Sequence, residues 1–368
     1  MKVGIFTDTY FPQVNGVTYT LEAWANKLRE KGHEVRIFYP ESGHVPTKDE
    51  FPFRSMEFKF YEGYNIAFPT RISKNAKDLD VVHIHGLFTM AMAGVYVSKK
   101  YKIPRVLTYH TPADDYIDYM TKQQTLKKVM MKLYNFWEKT LLNSCDLVTA
   151  PSESIRTRLM DKGVKEVRVL SNGLDLDFFR YQDPTEFKKR YCVRGGKVIG
   201  FCGRFGYEKH LEDLIEIADD FDGQILIAGK GPAARYYKNL AKDKKNVTFI
   251  GFLSRQELLE FYSSLDLFIF PSIAETQGLV ALESMACGVP VIGANALALK
   301  DTIKDGYVGF LYQQGDKLEL LKKIDEAYKV RDKFSKNCLE YIKQHSIEHT
   351  VENLLGIYSD LKTKQKQH

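Results

Sequence analysis

The chain has 368 residues, of which 44% are hydrophobic and 13% aromatic, a length and composition typical of a globular protein with roughly two domains. No apolar run approaches the ~18 residues of a transmembrane helix, and MKVGIFTDTY lacks the apolar segment of a signal peptide, so we expect a cytoplasmic protein. The five scattered cysteines predict neither a zinc site nor a disulfide framework, while the net charge of +6 favours anionic partners.

Short β-rich runs alternate with helical patterns along the chain, which is typical of parallel α/β architecture. The predicted strands of the first half are KVGIFTD, EVRIFYP, DVVHIHG, PRVLTYH and DLVTAPS. The alternation restarts with KVIGFCGRF, GQILIAGKG, NVTFIGF, DLFIFPS and VPVIGAN. The sequence therefore predicts two Rossmann-like domains, each a doubly wound parallel sheet, with ligands bound in a cleft at the carboxyl ends of the strands.

The predicted domain boundary lies in the polar, proline-bearing segment SNGLDLDFFRYQDP, around residues 171 to 185. We assign residues 1–180 to a first domain and residues 181–346 to a second. A last helical pattern, about residues 347–361, follows the second domain and is a candidate to pack back onto the first.

The loop after the first strand, TDTYFPQVNGVTYT, lacks the tight G-x-G-x-x-G turn of dinucleotide-binding proteins, which argues against NAD-dependent oxidation. It still places Gly16 at a helix N-terminus, where free N–H groups and the helix dipole favour a phosphate. An ordinary turn glycine is the alternative interpretation.

In the second half, CGRFGYEKHLEDL places Arg204 and Lys209 between a strand and a helix, at the strand end where a ligand is expected. Two such cations can hold a diphosphate without a metal ion, although neighbouring surface cations are often merely solvated. We treat the D-x-D patterns at 78–80 and 175–177 as chance occurrences and not as metal sites.

The segment FPSIAETQGLVALESMACGVPVIG carries Glu275 in a predicted loop and Glu283 on the helix that follows. Eight helical residues span about 12 Å and return to within about 80° of the same side, so two carboxylates at this spacing can hold opposite ends of an extended ligand. An ionised carboxylate is an acceptor that suits paired hydroxyls, such as those of a sugar or a ribose. The alternative is a capping acid followed by an exposed helix glutamate.

These segments resemble a known family. ETQGLVALE resembles the E-x-x-G-L-x-x-x-E pattern of retaining glycosyltransferase family 4, and other segments fall where that family has its motifs: GRFGYEK, SNGLD, DVVHIHG and FTDTYFPQVNGV. The resemblance covers nearly the whole chain. It implies a GT-B fold and transfer of a sugar from a nucleotide diphosphate sugar with retained anomeric configuration.

The resemblance also implies roles for the charged residues. Arg204 and Lys209 would bind the diphosphate, Glu275 would bind the donor sugar, and Glu283 would bind the nucleotide ribose. Negative charge grows on the leaving diphosphate as the glycosidic bond breaks, and fixed cations with helix N-termini can stabilise that charge. No metal ion or other cofactor is therefore expected.

Four further positions are implied by the same resemblance. Backbone amides around Gly278 and Leu279 would hold the sugar and phosphate, and Gly16 would face the diphosphate from the other domain. His110 would lie beside the donor sugar, whereas the histidines of DVVHIHG are interpreted as core or cleft-wall residues. Retention would follow from a covalent carboxylate intermediate or from same-face attack assisted by the leaving phosphate, and both routes stay open.

The acceptor is indicated by the first half, where SMEFKFYEGYNIAFP and YHTPADDYIDYM resemble the diacylglycerol glucosyltransferases of the family. A helix there is predicted to carry Lys128, Lys132 and Lys139 on the face opposite an apolar one, which gathers Leu126, Val129, Met130, Leu133, Trp137 and Leu141. A basic amphipathic helix suits an anionic membrane surface. An ordinary domain helix with a solvated basic face is the alternative.

The favoured hypothesis is an enzyme at the inner face of the cell membrane that moves a hexose from a donor such as UDP-glucose to a diacylglycerol-like lipid. The alternatives are the same transfer to a soluble sugar or metabolite, a sugar-nucleotide 2-epimerase of the same fold, and a non-catalytic sensor of nucleotide sugars. Nucleic acid is not an expected partner.

Overall fold

The computed structural model describes residues 1–13, 15–57, 65–110, 124–191, 193 and 195–366. The chain forms two compact units, Met1–Gly173 together with Ile347–His368, and Leu174–Ser346. The boundary predicted after residue 180 therefore lies inside the second unit. The reason is that the Leu174 N–H donates to the His345 carbonyl oxygen at 2.8 Å and that Phe179 is buried in the second core.

The strands of the first unit are β1 (Lys2–Thr7), β2 (Glu34–Pro40), β3 (Glu50–Phe53), β4 (Ser55–Glu57), β5 (Asn65–Ala67), β6 (Val81–His85), β7 (Arg105–Thr108), β8 (Leu147–Ala150) and β9 (Val167–Val169). Apart from the small antiparallel pair β4–β5, they form one parallel sheet in the order β3-β2-β1-β6-β7-β8-β9. The strand order reverses between β1 and β6, which places the ligand-binding crevice of such a sheet at the carboxyl ends of these two strands.

Helices cover both faces of this sheet, namely α1 (Gly16–Glu30), α2 (Thr89–Tyr101), α3 (Gln124–Asn143) and α4 (Glu153–Asp161). Side chains of β1 alternate between the two layers, so that Phe6 joins the core beneath α2, α3 and α4 while Val3 and Ile5 join the core beneath α1. Asn15 caps α1 by accepting a hydrogen bond from the Thr18 N–H at 2.9 Å.

The second unit repeats this architecture with β10 (Val198–Cys202), β11 (Gln224–Ala228), β12 (Val247–Gly251), β13 (Leu267–Phe270), β14 (Val291–Ala294) and β15 (Gly309–Tyr312). Its parallel sheet has the order β12-β11-β10-β13-β14-β15, so the switch point lies between β10 and β13. The helices are α5 (Thr185–Arg190), α6 (Leu211–Glu216), α7 (Ala234–Leu240), α8 (Arg255–Ser264), α9 (Leu279–Ala286), α10 (Leu299–Thr302) and α11 (Lys317–Tyr341). These two doubly wound sheets confirm the predicted fold class.

The last helix, α12 (Ile347–Lys366), belongs to the first unit although it follows the second in sequence. Its buried side chains join the core beneath α1, and Ile347, Val351, Leu354 and Leu361 are among them. The helix extends beyond the predicted residue 361 because Lys362 pairs with Asp80 at 2.7 Å and continues the contact with the first unit.

Candidate active site

The loop after β10 carries Arg204 and Lys209, the two cations predicted to bind a diphosphate. Between them, Phe205 is buried, and its N–H donates to the Lys230 carbonyl oxygen at 2.9 Å. A short 3₁₀ turn, Tyr207–Lys209, ends the loop. The structure therefore places both cations at the carboxyl end of β10, beside the switch point of the second sheet.

The loops after β10 and β11 approach each other so closely that a side chain cannot fit between them. Gly229 has φ +134°, and a Cβ atom there would lie 1.8 Å from the Gly203 carbonyl oxygen. The Tyr237 hydroxyl of α7 donates to the Gly206 carbonyl oxygen at 2.8 Å and so also holds the loop after β10. The two cations are thus presented from a backbone with little freedom to move.

Lys209 contacts Glu275, the first glutamate of the predicted pair. The Lys209 Nζ lies 2.5 Å from Glu275 Oε1, and each side chain is only 15% exposed. The loops that carry them are joined through the Glu208 carbonyl oxygen, which accepts from the Ile273 N–H at 3.2 Å. The structure therefore brings together two predicted site residues that lie 66 positions apart in sequence.

Arg204 is more exposed than Lys209 and contacts a carboxylate that the sequence analysis missed. Its Nη1 lies 3.4 Å from Glu208 Oε1, and Glu208 is largely buried. The signal was present in GRFGYEK, since positions 204 and 208 are four residues apart. An acidic side chain thus lies between the two cations in sequence and pairs with the first of them.

Gly278 immediately precedes α9 and adopts φ +81°, a backbone conformation that favours glycine. A Cβ atom at this position would lie 2.8 Å from a methyl carbon of Leu299. Leu279 is the first residue of α9, so the N–H groups at this end have no carbonyl partner within the helix. Such a helix start offers hydrogen bonds and a favourable dipole to a phosphate or a sugar oxygen.

Glu283 lies on α9 and is half-buried, so it is not the exposed helix residue that the alternative interpretation required. The hydroxyl of Tyr262, a fully buried side chain of α8, donates to Glu283 Oε2 at 2.6 Å. Burial raises the pKa of Glu283 above its usual value, while the Tyr262 hydrogen bond acts in the opposite direction. Glu275 is likewise not a helix cap, because α9 begins without a side-chain cap.

His110 follows β7 in the first unit and contacts His85, the last residue of β6. Their rings stack with centroids 5.1 Å apart, and His110 Nε2 lies 2.8 Å from His85 Nδ1. Burial lowers the pKa of His110 to about 4 and the pKa of His85 well below its usual value. Both imidazoles are therefore neutral at pH 7 and act as hydrogen-bonding groups, not as charges.

Asp8, which sequence reasoning missed, follows β1 at the switch point of the first sheet. Its carboxylate accepts from the Phe88 N–H at 2.8 Å and from the Met90 N–H at 2.9 Å, at the start of α2. Burial raises the pKa of Asp8 to about 6. A Cβ atom at Gly86 would lie 2.1 Å from this carboxylate, so the neighbouring loop needs its glycine.

Gly16 is the first residue of α1, as predicted, and follows the loop that leaves the carboxyl end of β1. The loop is organised by side chains: Asn15 Nδ2 donates to Thr9 Oγ1 at 3.1 Å, and the Thr9 hydroxyl donates to Gln13 Oε1 at 2.5 Å. The structure thus places Gly16 at the switch point of its own sheet. Its contact with a diphosphate held by the other domain stays a prediction.

The exposed face of α3 differs from the prediction. Lys128, Lys132 and Lys139 are exposed, but so are four large apolar residues: Leu126 at 46%, Val129 at 52%, Leu133 at 65% and Phe136 at 73%. The predicted apolar face is wrong for Leu126, Val129 and Leu133, whereas Leu141 is buried and Trp137 packs against the core. Buried Glu138 takes part of the inner face, where its Oε1 accepts from the hydroxyls of Tyr109 and Tyr134, both at 2.8 Å. In the part of the chain that the structure describes, no helix is both long and apolar enough to cross a membrane.

The D-x-D pairs have structural partners. Asp78 pairs with Lys2 and Arg36, each at 2.6 Å. Asp175 Oδ1 accepts from the N–H groups of the turn that follows it. Among the described residues, no group of three or more histidine, cysteine or acidic side chains is arranged to hold a metal ion. Residues 111–123, which include most of YHTPADDYIDYM, lie outside the described residues, as do residues 58–64 of SMEFKFYEGYNIAFP.

Two family models match the chain in succession, "Glycosyltransferase Family 4" over residues 14–178 and "Glycosyl transferases group 1" over residues 183–345. An alpha-monoglucosyldiacylglycerol synthase of Streptococcus pneumoniae is 32% identical over 338 residues, which are 85% of this chain and 75% of the relative. The enzyme of the same name from Acholeplasma laidlawii is 27% identical and covers 100% of this chain and 99% of its own length. A GDP-mannose-dependent alpha-mannosyltransferase of Corynebacterium glutamicum is also 27% identical, over 98% of this chain and 89% of its own.

Solved structures show the same fold. Anabaena Alr3699/HepE in complex with UDP superimposes with a TM-score of 0.79 over 98% of this chain and 100% of that one, at 18% identity. The complex of that protein with UDP-glucose gives a TM-score of 0.76 over 97% of this chain and 99% of that one, also at 18% identity. A sucrose-phosphate synthase of Thermosynechococcus elongatus gives 0.74 at 17% identity, over 99% of both chains. At these identities the likeness concerns the fold.

Proposed function

Because the chain belongs to glycosyltransferase family 4, we propose that it moves a hexose, with UDP-glucose as the expected donor, to a diacylglycerol-type lipid at an anionic membrane surface. The observation that carries the proposal is the convergence of Arg204, Lys209, Glu275 and Glu283 on the switch point of one sheet. The site supplies cations for a diphosphate and carboxylates for hydroxyl groups, which are the two chemical needs of a nucleotide sugar.

The donor would be held from end to end along this edge. Glu283 would accept from the ribose hydroxyls, and Arg204 with Lys209 would neutralise the diphosphate. Glu275 would accept from hydroxyls of the sugar, and the amides at Gly278 and Leu279 would bind the phosphate and sugar oxygens. Charge that develops on the leaving diphosphate would then meet fixed cations and helix amides, so the transfer requires no metal ion.

The Lys209–Glu275 pair bears on how the anomeric configuration is retained. A carboxylate that a lysine engages at 2.5 Å has its electron pairs stabilised and is a weak nucleophile. This favours same-face attack, in which the leaving phosphate takes the proton of the acceptor hydroxyl, over a covalent glycosyl-enzyme intermediate. Mass spectrometry of enzyme quenched during turnover tests the choice, because a covalent intermediate would add the mass of one hexosyl group, a hexose less one water.

The lipid acceptor is supported by the outer surface of the first unit. The exposed apolar residues of α3 alternate with its lysines, an arrangement that suits insertion among acyl chains beside anionic headgroups. On the same side of the sheet, α2 exposes Met92 and Tyr96, and the Trp137 indole N–H of α3 donates to the Leu87 carbonyl oxygen beside the start of α2. The two helices would together form one surface that docks on the inner face of the cell membrane. The two relatives named alpha-monoglucosyldiacylglycerol synthase support the same acceptor.

The test is to incubate the purified protein with a panel of nucleotide sugars and a total lipid extract and to identify products by mass spectrometry. We expect a hexosylated diacylglycerol with UDP-glucose, and far less of this product from Glu275→Ala. A product that forms only on soluble sugars or metabolites would replace the lipid acceptor by the soluble one. Turnover of UDP-GlcNAc without any acceptor would instead identify an epimerase.

A further inference from the structure

Tyr262 is buried beneath the carboxylate that the proposed function assigns to the nucleotide ribose. Its hydroxyl donates to Glu283 Oε2 at 2.6 Å, while its ring packs edge-on against Phe268 with centroids 5.7 Å apart. We propose that Tyr262 is the positioning residue for ribose recognition, which holds the Glu283 carboxylate in the orientation that meets the ribose hydroxyls. The inference rests on the proposed function, since it requires that Glu283 meets a ribose.

The surroundings of Glu283 leave this task to Tyr262. Within the described part of the chain, the Tyr262 hydroxyl is the one side-chain group that donates a hydrogen bond to Glu283. The thiols of Cys202 and Cys287 lie nearby, but burial, with the charge of Glu283 added, raises their pKa values, so both stay protonated and weak as donors. The guanidinium of Arg255 acts on Glu283 at longer range and lies over the Phe178 ring.

The hydrogen-bonding capacity of the carboxylate explains why one fixed oxygen is useful. An ionised carboxylate offers about four acceptor positions on two oxygens, and Tyr262 occupies one of them. Oε1 and the second position of Oε2 remain for ligand hydroxyls. A glutamate without a fixed oxygen would turn about its side-chain bonds, and binding would have to order it at a cost in affinity.

A purely structural role gives a weaker account of the pair. A half-buried carboxylate costs desolvation free energy, and a phenol beneath it recovers only part of that cost. A phenylalanine at position 262 beneath an apolar residue at position 283 would fill the same space without any desolvation of polar groups. The pair is therefore better explained as part of a ligand site, in which buried Tyr262 orients the more exposed Glu283.

The test measures discrimination between ribose and deoxyribose by titration calorimetry. UDP is compared with 2′-deoxy-UDP and GDP with 2′-deoxy-GDP, and the pair that binds is carried through all variants. We expect the wild type to prefer the ribonucleotide by roughly tenfold, the value of one hydrogen bond to a charged group. Glu283→Gln should bring the preference close to one. Tyr262→Phe should lower it at least about threefold, and should add nothing when combined with Glu283→Gln.

Tyr312→Phe is the matched control, because the Tyr312 hydroxyl also donates to a carboxylate in the second unit, Asp213 Oδ2, at 2.8 Å. It should lower the melting temperature without changing the preference. If Tyr262→Phe does not fold, Tyr262→4-fluorophenylalanine fills the space of the hydroxyl without a proton to donate.

The outcomes separate this inference from the proposed function. A wild-type preference in the Tyr262 variants, together with a lost preference in Glu283→Gln, would overturn the role of Tyr262 and leave the donor site intact. An unchanged preference for the ribonucleotide in Glu283→Gln would show that Glu283 does not bind the ribose, and would overturn the role of Tyr262 as well. If neither UDP nor GDP binds, the proposed nucleotide sugar donor fails, and this inference fails with it.

Discussion

At the switch point of the second unit, Lys209 and Glu275 reach each other from separate loops and form an ion pair. At the switch point of the first unit, His85 and His110 form a buried hydrogen bond between two neutral rings, because burial lowers the pKa of each imidazole. This ionic edge of the second sheet suits a charged ligand such as a diphosphate, whereas the neutral imidazoles of the first suit an uncharged group such as a hydroxyl. The Asp8 carboxylate at the same switch point is already bound by the N–H groups of Phe88 and Met90. Two sheets of the same topology thus have different electrostatic environments at their switch points. The side chains at the strand ends and in the loops that follow determine which environment forms.

The largest effect is expected when the carboxylate of Glu275 is removed from the ionic edge. Glu275→Ala should lower kcat by roughly 1,000-fold, about 4 kcal/mol, because the donor sugar loses its orienting acceptor. The protein should stay folded, since Glu275 supports no core. Glu186→Ala, which breaks the exposed ion pair with Lys189 in the same unit, is the control and should retain full activity. Wild-type turnover in Glu275→Ala would exclude it from the site.

The first unit should respond to charge on its outer surface and not at its edge. Changing Lys128, Lys132 and Lys139 together to glutamine should weaken binding to phosphatidylglycerol vesicles by about 3 kcal/mol at low salt, at about 1 kcal/mol for each lysine. Binding of the nucleotide to the second unit should not change. Co-sedimentation at low and high salt measures the effect, because salt screens the attraction.

The control for this variant removes the same charge elsewhere, by changing three exposed lysines of α11 to glutamine, Lys322, Lys329 and Lys336. It should bind vesicles like the wild type. Leu133→Ser with Phe136→Ser should also weaken binding, but without the salt dependence, because these residues contribute apolar area. Equal and negligible binding of all forms, wild type included, would favour the soluble acceptor.

The two cations of the ionic edge should each contribute about 2 kcal/mol to transition-state stabilisation, so Arg204→Ala and Lys209→Ala should lower kcat/KM about 30-fold. Lys209 also orients Glu275, so Lys209→Ala combined with Glu275→Ala should cost less than the sum of the single changes. Steady-state kinetics with the donor varied measures both effects. A strict requirement for Mg²⁺ in a chelator titration would contradict the assignment of the diphosphate charge to these residues.

Two buried groups at the switch point of the first unit, His110 and Asp8, should give opposing pH dependences of stability. The pKa of His110 is lowered to about 4 in the folded chain, so its contribution to stability is lost as pH falls from 6.5 towards 4. The pKa of Asp8 is raised to about 6, so the folded state gains stability over the unfolded state as pH falls from 6 towards 3.8. Each contribution is about 3 kcal/mol at most, and because burial also lowers the pKa of His85, we expect the wild type to lose net stability as pH falls.

Single substitutions should separate these contributions. His110→Gln should reduce the loss of stability of the first unit between pH 7 and pH 5, whereas Asp8→Asn should increase that loss. Hydrogen exchange of β6 and β7 as a function of pH measures the stability of this unit. If the stability of the two variants changed with pH in the same way, His110 and Asp8 would not be the groups that set the pH dependence of the first unit.

Sequence patterns predicted the ionic edge because its residues belong to short strand–loop–helix segments. Arg204 and Lys209 follow one strand directly and Glu275 follows another, so topology alone brings them to one edge. The supporting residues escaped prediction because their partners are remote: Asp8 and Phe88 are 80 positions apart. No periodicity reports a contact of this kind, since it depends on how strands are ordered in the sheet.

The orientation of α3 escaped prediction for a different reason. Hydrophobic periodicity assumes that charged residues face solvent, but Glu138 is buried, where Lys162 and two tyrosine hydroxyls satisfy it. The helix is therefore rotated relative to the pattern, and Leu133 and Phe136 face outward. Tyr262 was missed in the same way, because its sequence context is that of a core aromatic and its function lies in one hydroxyl.

The return of α12 to the first unit has a consequence for synthesis on the ribosome. The Tyr358 hydroxyl contacts His83 Nδ1 at 2.6 Å, and Val351 and Leu354 complete the core on that face of the first sheet. While the nascent chain still ends before Ile347, the second unit already has its whole sequence, whereas the first unit exposes an apolar sheet face. We expect the half of the protein that is translated first to finish folding last, after the final helix has left the exit tunnel.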